Sequence, residues 1–141
     1  MKIRPIAAAD FGEWRRMRDL LWPGQTEKDM RLWQARSDAT VIVAERDDGT
    51  LGAFAEFGER SIGESCETSP VGYVEGWWVD PDLRGKGIGR LLIDAGERWA
   101  RGRGYRELGS DTEPENSASQ AAHLKLGFEE VARLVVFRKV L

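Results

Sequence analysis

The chain has 141 residues, 41% hydrophobic and 32% charged, with a net charge of −3. That size suits one domain, 1–141, able to bury a core without disulfide or metal, and the single Cys66 and single His123 exclude an internal disulfide and a multi-imidazole metal site. No run of about 18 apolar residues argues for a membrane span, and "MKIRPIAAAD" lacks the apolar stretch of a signal peptide, so the expected location is cytoplasmic.

Lys2 to Ile6 reads as a strand. Ala8 to Leu21 carries Phe11, Trp14, Met17, Leu20 and Leu21 at helical spacing, with Asp10 placed to cap. "WPGQT" (Trp22 to Thr26) breaks that helix, and a weaker one is expected from Glu27 to Arg36. "TVIVAE" (Thr40 to Glu45) and "LGAFAEFG" (Leu51 to Gly58) predict two strands joined by the Asp-Gly turn of "RDDGT". Glu59 to Pro70 is polar and patternless, a loop. Val71 to Val79, "VGYVEGWWV", is a strand of aromatic and β-branched residues. Ile88, Leu91, Leu92, Ala95 and Trp99 share one helical face, and "GRGY" ends that helix. "RELGSD" (Arg106 to Asp111) predicts a short strand. A turn at Pro114 then leads into a helix capped near Asn116 or Ser117 and stopped at Gly127. "FEEVARLVVFRKVL" predicts one or two closing strands. The order βααβββαβαβ(β) is an α/β (α+β) class, a mixed, mostly antiparallel sheet flanked by helices.

Charge is unevenly spread. Arg84 to Arg106 holds seven Lys/Arg against Asp94 and Glu97, Glu107 to Glu115 holds four acids and no base, and Glu56 to Glu75 holds five acids against Arg60. Such blocks are ordinarily solvated faces; side by side they also suit one anionic and one cationic ligand.

Between strand and helix stands Arg84-Gly85-Lys86-Gly87-Ile88-Gly89. A nucleotide P-loop needs G-x-x-x-x-G-K-[ST], which is absent. The dinucleotide fingerprint G-x-G-x-x-G also fails, because Gly89 comes one residue early and Arg90 holds the third glycine position. What remains is either a glycine-softened helix entry or an anion site. In the second case, bare N–H groups at a helix N-terminus act with Arg84, Lys86 and Arg90 on a phosphate or pyrophosphate.

"VDPDLRGKGIGRLL" resembles the acyl-CoA pyrophosphate loop of the GNAT N-acetyltransferase superfamily, Q/R-x-x-G-x-G/A, here Arg84, Gly87 and Gly89. Asn116 stands eleven residues before Gly127-Phe128, the superfamily's spacing, and the element order agrees end to end. "WRRMRDLLWPGQ", "SPVGYVEGWWVDP" and "SDTEPENSASQAAHLKLGFEE" are similar to the aminoglycoside 6′-N-acetyltransferases, the antibiotic-modifying branch. The resemblance implies acetyl-CoA as donor, no metal, a homodimer whose C-terminal strands join the interface, and a GNAT fold. It also implies that Arg84, Gly85, Lys86, Gly87, Ile88, Gly89 and Arg90 hold the pyrophosphate. Backbone groups of Trp77, Trp78 and Val79 would bind the pantetheine arm as an added strand would. Asn116 would bond the cofactor.

Acetyl transfer to an amine needs a proton acceptor, because only about one alkyl amine in a few thousand is neutral at pH 7. Glu75, the lone acid of an apolar strand, is the candidate; the plain alternative is a carboxylate paired with an Arg across the sheet. The resemblance places Glu75, Asp111 and Trp22 against the drug, although Asp111 is also ordinary turn chemistry and Trp22 could be core. His123 stands where most of the superfamily has a Tyr that can protonate the leaving thiolate; a lone helical His is more often structural. Two departures bear on substrate range: Ile62 stands near the place where relatives bring a Tyr, and Ala132 where some present a Glu. The competing expectations are an N-acetyltransferase for another cationic amine (polyamine, peptide N-terminus or amino sugar) and a non-catalytic acyl-CoA-binding module. Nucleic acid is not expected as a partner, since the basic stretch is accounted for by CoA phosphates.

Overall fold

The computed structural model describes residues 1–24 and 27–141. Gln25 and Thr26, part of the expected helix break, lie outside the described residues. Among the described residues five strands form one sheet in the order β1-β2-β3-β4-β5. They are β1 (Lys2–Pro5), β2 (Ala39–Glu45), β3 (Leu51–Arg60), β4 (Val71–Val79) and β5 (Leu108–Ser110). The first three pairings are antiparallel and β4–β5 is parallel, so the sheet is mixed as expected. The helices are α1 (Phe11–Leu21), α2 (Glu27–Gln34), α3 (Ile88–Gly102) and α4 (Ser117–Lys125). Among the described residues no helix is long and apolar enough to cross a membrane.

Strand alternation puts one core on each face of the sheet. Val41, Val43, Leu51 and Phe54 pack with Trp14 and Met17 of α1 and Met30 of α2. Ile42, Ala44, Ala53, Ala55, Phe57 and Val74 pack with Ile88, Leu92 and Ile93 of α3. Full burial of side chains such as Leu92 and Phe57 contributes roughly 1.5–3 kcal/mol each. Close packing of α3 on the sheet depends on Gly96, where a Cβ would stand 2.1 Å from the Phe57 ring.

Four expectations are corrected. Asp10 sits at the N-cap position of α1 without a side-chain capping bond; its carboxylate instead accepts from the Ala7 N–H and from Arg4 of β1. β3 runs two residues past Gly58, because Glu59 and Arg60 pair with Gly72 and Val71 of β4. β5 is shorter than Arg106 to Asp111, since parallel pairing with β4 covers only Leu108 to Ser110. The expected closing strand does not form: residues 128–141 hold no strand, and 129–141 are exposed throughout. Strand formation needs an edge to pair with, and this chain leaves its apolar tail unpaired, with Val136 and Phe137 85% and 87% exposed.

Candidate active site

The site forms where β4 and β5 part. Their pairing ends at Val74↔Ser110, after which β4 continues to Val79 paired with β3 but not with β5. Glu75 and Asp111, each next in sequence, therefore stand at the mouth of a splay. A second irregularity sits at the same point. Phe57 pairs with Val74 and Glu56 with Gly76, so Glu75 is the extra residue of a β-bulge. The bulge breaks the two-residue alternation. Val74 and Trp77 both pack on the α3 side, while Glu75 and Gly76 both turn toward α1.

On that side lies a cavity of about 200 Å³ lined by Arg18, Trp22, Trp33, Glu56 and Glu75. Trp22 ends α1, its N–H bonded to the Arg18 carbonyl at 2.7 Å. Its indole lies on the backbone of β4, where a Cβ on Gly76 would meet the ring at 2.2 Å. Glycine at that position is what lets the aromatic wall touch the strand beside Glu75. Trp33 lies similarly close to Gly58, at 2.9 Å from its would-be Cβ.

Glu56 and Arg18 form the floor. Arg18 donates to Glu56 at 2.6 and 3.2 Å, and the Trp14 indole N–H adds a bond at 3.0 Å. Burial pushes the Glu56 carboxyl upward, with Arg18 and Trp14 pulling against it. The Arg18 guanidinium also stacks on Trp22 at 4.8 Å, so the ion pair holds the aromatic wall in place. Sequence reading missed Glu56, Arg18 and Trp33. The signal available was a lone acid in "AFAEF", on the same strand face as core Phe54.

Glu75 is bound by a fork from Arg60, Nε to Oε1 and Nη2 to Oε2, both 2.7 Å. Asp111 accepts from the hydroxyl of Tyr73, whose titration burial pushes well above its usual range. Tyr73 thus remains a donor.

His123 projects from α4 onto Trp77 and Phe128, with ring centroids 5.1 and 5.2 Å away. Its Nδ1 lies 2.7 Å from the Ser119 carbonyl, which can only accept, so Nδ1 carries the proton. Nε2 lies 2.7 Å from Ser110 Oγ and accepts from that hydroxyl when the ring is neutral. Asn116 caps α4, its side chain accepting from Ser119 N at 3.0 Å.

The glycine stretch leads from β4 into α3. Gly85 and Gly87 have φ of +74° and +82°, and a Cβ on either would meet nothing within 4 Å. The protein itself therefore does not fill the space they keep open. Gly87 is the N-cap of α3 and no side chain caps the helix, which leaves the amides of the first turn directed outward. These features fit a pyrophosphate on backbone N–H groups. Arg84 is tied to the Val79 carbonyl at 2.9 Å and stacks on Trp78 at 4.9 Å; Arg90 reaches the Lys125 carbonyl at 2.9 Å. Both charges are fixed beside the loop. Trp78 donates to Asp80 at 2.9 Å, which anchors the end of β4.

Residues 10–128 match the model of the Acetyltransferase (GNAT) family, and the chain belongs to that family. It is an N-acetyltransferase-type enzyme by descent, and its relatives narrow the branch. It is 42% identical to an aminoglycoside N(6′)-acetyltransferase type 1 of Klebsiella aerogenes, over 99% of this chain and 96% of that one. Its fold matches the crystal structure of an aminoglycoside antibiotic 6′-N-acetyltransferase from Acinetobacter baumannii with a TM-score of 0.93, at 32% identity over 99% and 98% of the chains. It matches equally, at 35% identity over 99% and 98%, an enzyme of this branch held with the bisubstrate analogue CoA-S-monomethyl-acetylneamine.

Proposed function

We propose that this chain is a single cytoplasmic acetyltransferase domain that moves the acetyl group of acetyl-CoA to the 6′-amine of aminoglycosides, and so confers resistance to them. The observation that carries this reading is Glu75, turned by the bulge into a Trp22-walled cavity while Asp111 stands across the splay. A carboxylate pair suits a polycationic ligand, and an aromatic wall suits the face of a sugar ring. A non-catalytic module has no use for either beside the splay.

In this reading acetyl-CoA supplies an activated thioester, with Arg84 to Arg90 around its pyrophosphate, Asn116 on the cofactor, and the exposed backbone of Trp77, Trp78 and Val79 along its pantetheine arm. A backbone N–H of this last stretch serves the carbonyl oxygen in the same reading. Glu75 takes the proton of the attacking ammonium, directly or through water. Asp111 holds a second ammonium. His123 serves as an acid for the leaving thiol only with a proton on Nε2 and with Ser110 turned to accept. Free CoA thiol release with kanamycin, tobramycin, spermidine and a Lys-containing peptide tests the reading. The two drugs should exceed the others in kcat/KM by at least about 100-fold, with one acetyl group on the 6′-nitrogen. Equal rates for all four acceptors would return the chain to a general amine acetyltransferase.

The same reading includes a homodimer. The apolar tail carries Val131, Leu134, Val135, Val136 and Phe137 into solvent, and β5 lies at the edge of the sheet, where a strand from a second copy could add. Sedimentation should give twice the 15.9 kDa chain mass. Phe137→Asp should weaken association by more than about tenfold, because a charge placed in an apolar interface is left unpaired. A monomeric wild-type protein at micromolar concentration removes the dimer.

A further inference from the structure

Two carboxylates line the cavity, and each has an arginine on it, but the two pairs differ in kind. Arg18–Glu56 is locked: the side chains are 8% and 1% exposed, the Trp14 indole donates to the same carboxylate, and Trp22 covers the guanidinium. Arg60–Glu75 is open: Arg60 is 41% exposed and Glu75 20%. Arg60 is the last residue of β3 and stands opposite Val71. Its side chain must run past Tyr73 to reach Glu75, and its guanidinium lies 3.6 Å from the Tyr73 ring centroid. Tyr73 in turn donates to Asp111. Arg60, Tyr73, Glu75 and Asp111 are therefore one linked group, with a protein cation sitting where the proposed function needs a substrate cation.

Arg60 already donates to both oxygens of Glu75, so an ammonium that reaches Glu75 competes with it for the same carboxylate and stands beside a like charge. A guanidinium 41% exposed is only weakly held in such a pair. We infer that Arg60 is a resident counter-ion of the acceptor site, displaced from Glu75 by the incoming substrate ammonium. This inference rests on the acceptor reading of Glu75. Its consequences are specific to this chain's Arg60. Arg60 cancels one of the two carboxylate charges of the free site, and the Arg60–Glu75 pair sets a threshold that an acceptor must exceed. Cationic acceptors with several ammonium groups exceed it by reaching Asp111 as well, and Glu75 is released as a base only once an amine is in place.

The test compares wild type, Arg60→Ala and Arg60→Lys by calorimetry with two probes, kanamycin and spermidine, and follows the Arg60 Nε–H by nitrogen-resolved NMR. Removing the resident cation should tighten binding of both probes about tenfold in Arg60→Ala, with a smaller gain in Arg60→Lys, whose ammonium lacks the two-pronged geometry. It should also steepen the salt dependence, since the emptied site carries an uncompensated charge. In the wild type, saturating probe should move the Arg60 Nε–H signal from its ion-paired position to that of a solvated guanidinium. Equal or weaker binding by folded Arg60→Ala overturns the inference, as does an Arg60 signal unmoved at saturation or binding of neither probe. The wild-type NMR titration decides even where Arg60→Ala fails to fold. Failure of the functional reading is separable: a wild type that binds kanamycin with Arg60 displaced yet acetylates no drug sinks the function alone. A wild type that acetylates the drug with Arg60 unmoved sinks the exchange alone.

Discussion

Glu75→Gln is expected to lower kcat about 10²–10⁴-fold, the usual cost of losing a general base. The fold should survive. Glutamine keeps the shape in the bulge and can still accept one of the two Arg60 bonds, so the lost pairing costs about 1 kcal/mol or less at a half-exposed partner. The pH profile separates three roles. With the base gone, turnover should rise with pH toward the amine's own pKa, about 10.4 for an unperturbed alkyl amine. If Glu75 only positions the ammonium, KM rises and the profile keeps its shape. If the Arg60 fork is purely structural, the melting temperature falls and the kinetics of folded enzyme stay normal. A Glu75→Gln enzyme with wild-type kcat, KM and pH dependence would take Glu75 out of the site.

The sequence pointed to Glu75 as the lone acid of an apolar strand, and also offered a cross-sheet arginine as its plain explanation. Both features are present, which is why the residue could not be understood from its own strand. Arg60 is fifteen positions away and lay in what reads as a polar loop; it joins β3 only because β4 offers a partner. The bulge is equally hidden. It is a mismatch of register between two strands, and "VGYVEGWWV" read alone does not show it. The Arg18–Glu56–Trp14 floor depends on α1 lying across β3, a contact between segments about forty residues apart. Gly76 did leave a mark. A glycine inside an aromatic strand signals close approach of something, here Trp22.

Helices and strands were legible where a single periodicity governs them, as in α3 and β2. The tail was misread for the opposite reason: "LVVF" has strand composition, but composition cannot say which edge it pairs with. Ile62, in the loop before β4, is 77% exposed. The glycine stretch was the most legible part. A positive φ, like the space required by a ligand, excludes a side chain and so is written directly into residue type.

Those two reasons for glycine can be separated by experiment, and the separation gives the second large effect. Gly87→Val should raise the KM for acetyl-CoA about 10²-fold, the loss of one or two charge-assisted bonds worth about 1.5–3 kcal/mol each, with the amine KM nearly unchanged. That variant alone is ambiguous. Gly87 has φ +82°, and valine there is strained whether or not a ligand approaches. Its melting temperature without cofactor should fall for that reason. Gly89 resolves the ambiguity. It lies in the first turn of α3, its φ is not in the left-handed region, and a Cβ would meet nothing within 4 Å. Within the protein, Gly89→Ala is a gain, up to about 1 kcal/mol of helix stability. If backbone N–H groups of this turn hold a pyrophosphate, the added methyl should stand between them and it. Gly89→Ala should therefore melt higher and bind acetyl-CoA more weakly, a combination that strain cannot produce. A higher melting temperature with unchanged acetyl-CoA affinity would mean that the cofactor does not approach the helix at Gly89, and Gly87→Val would then report strain alone.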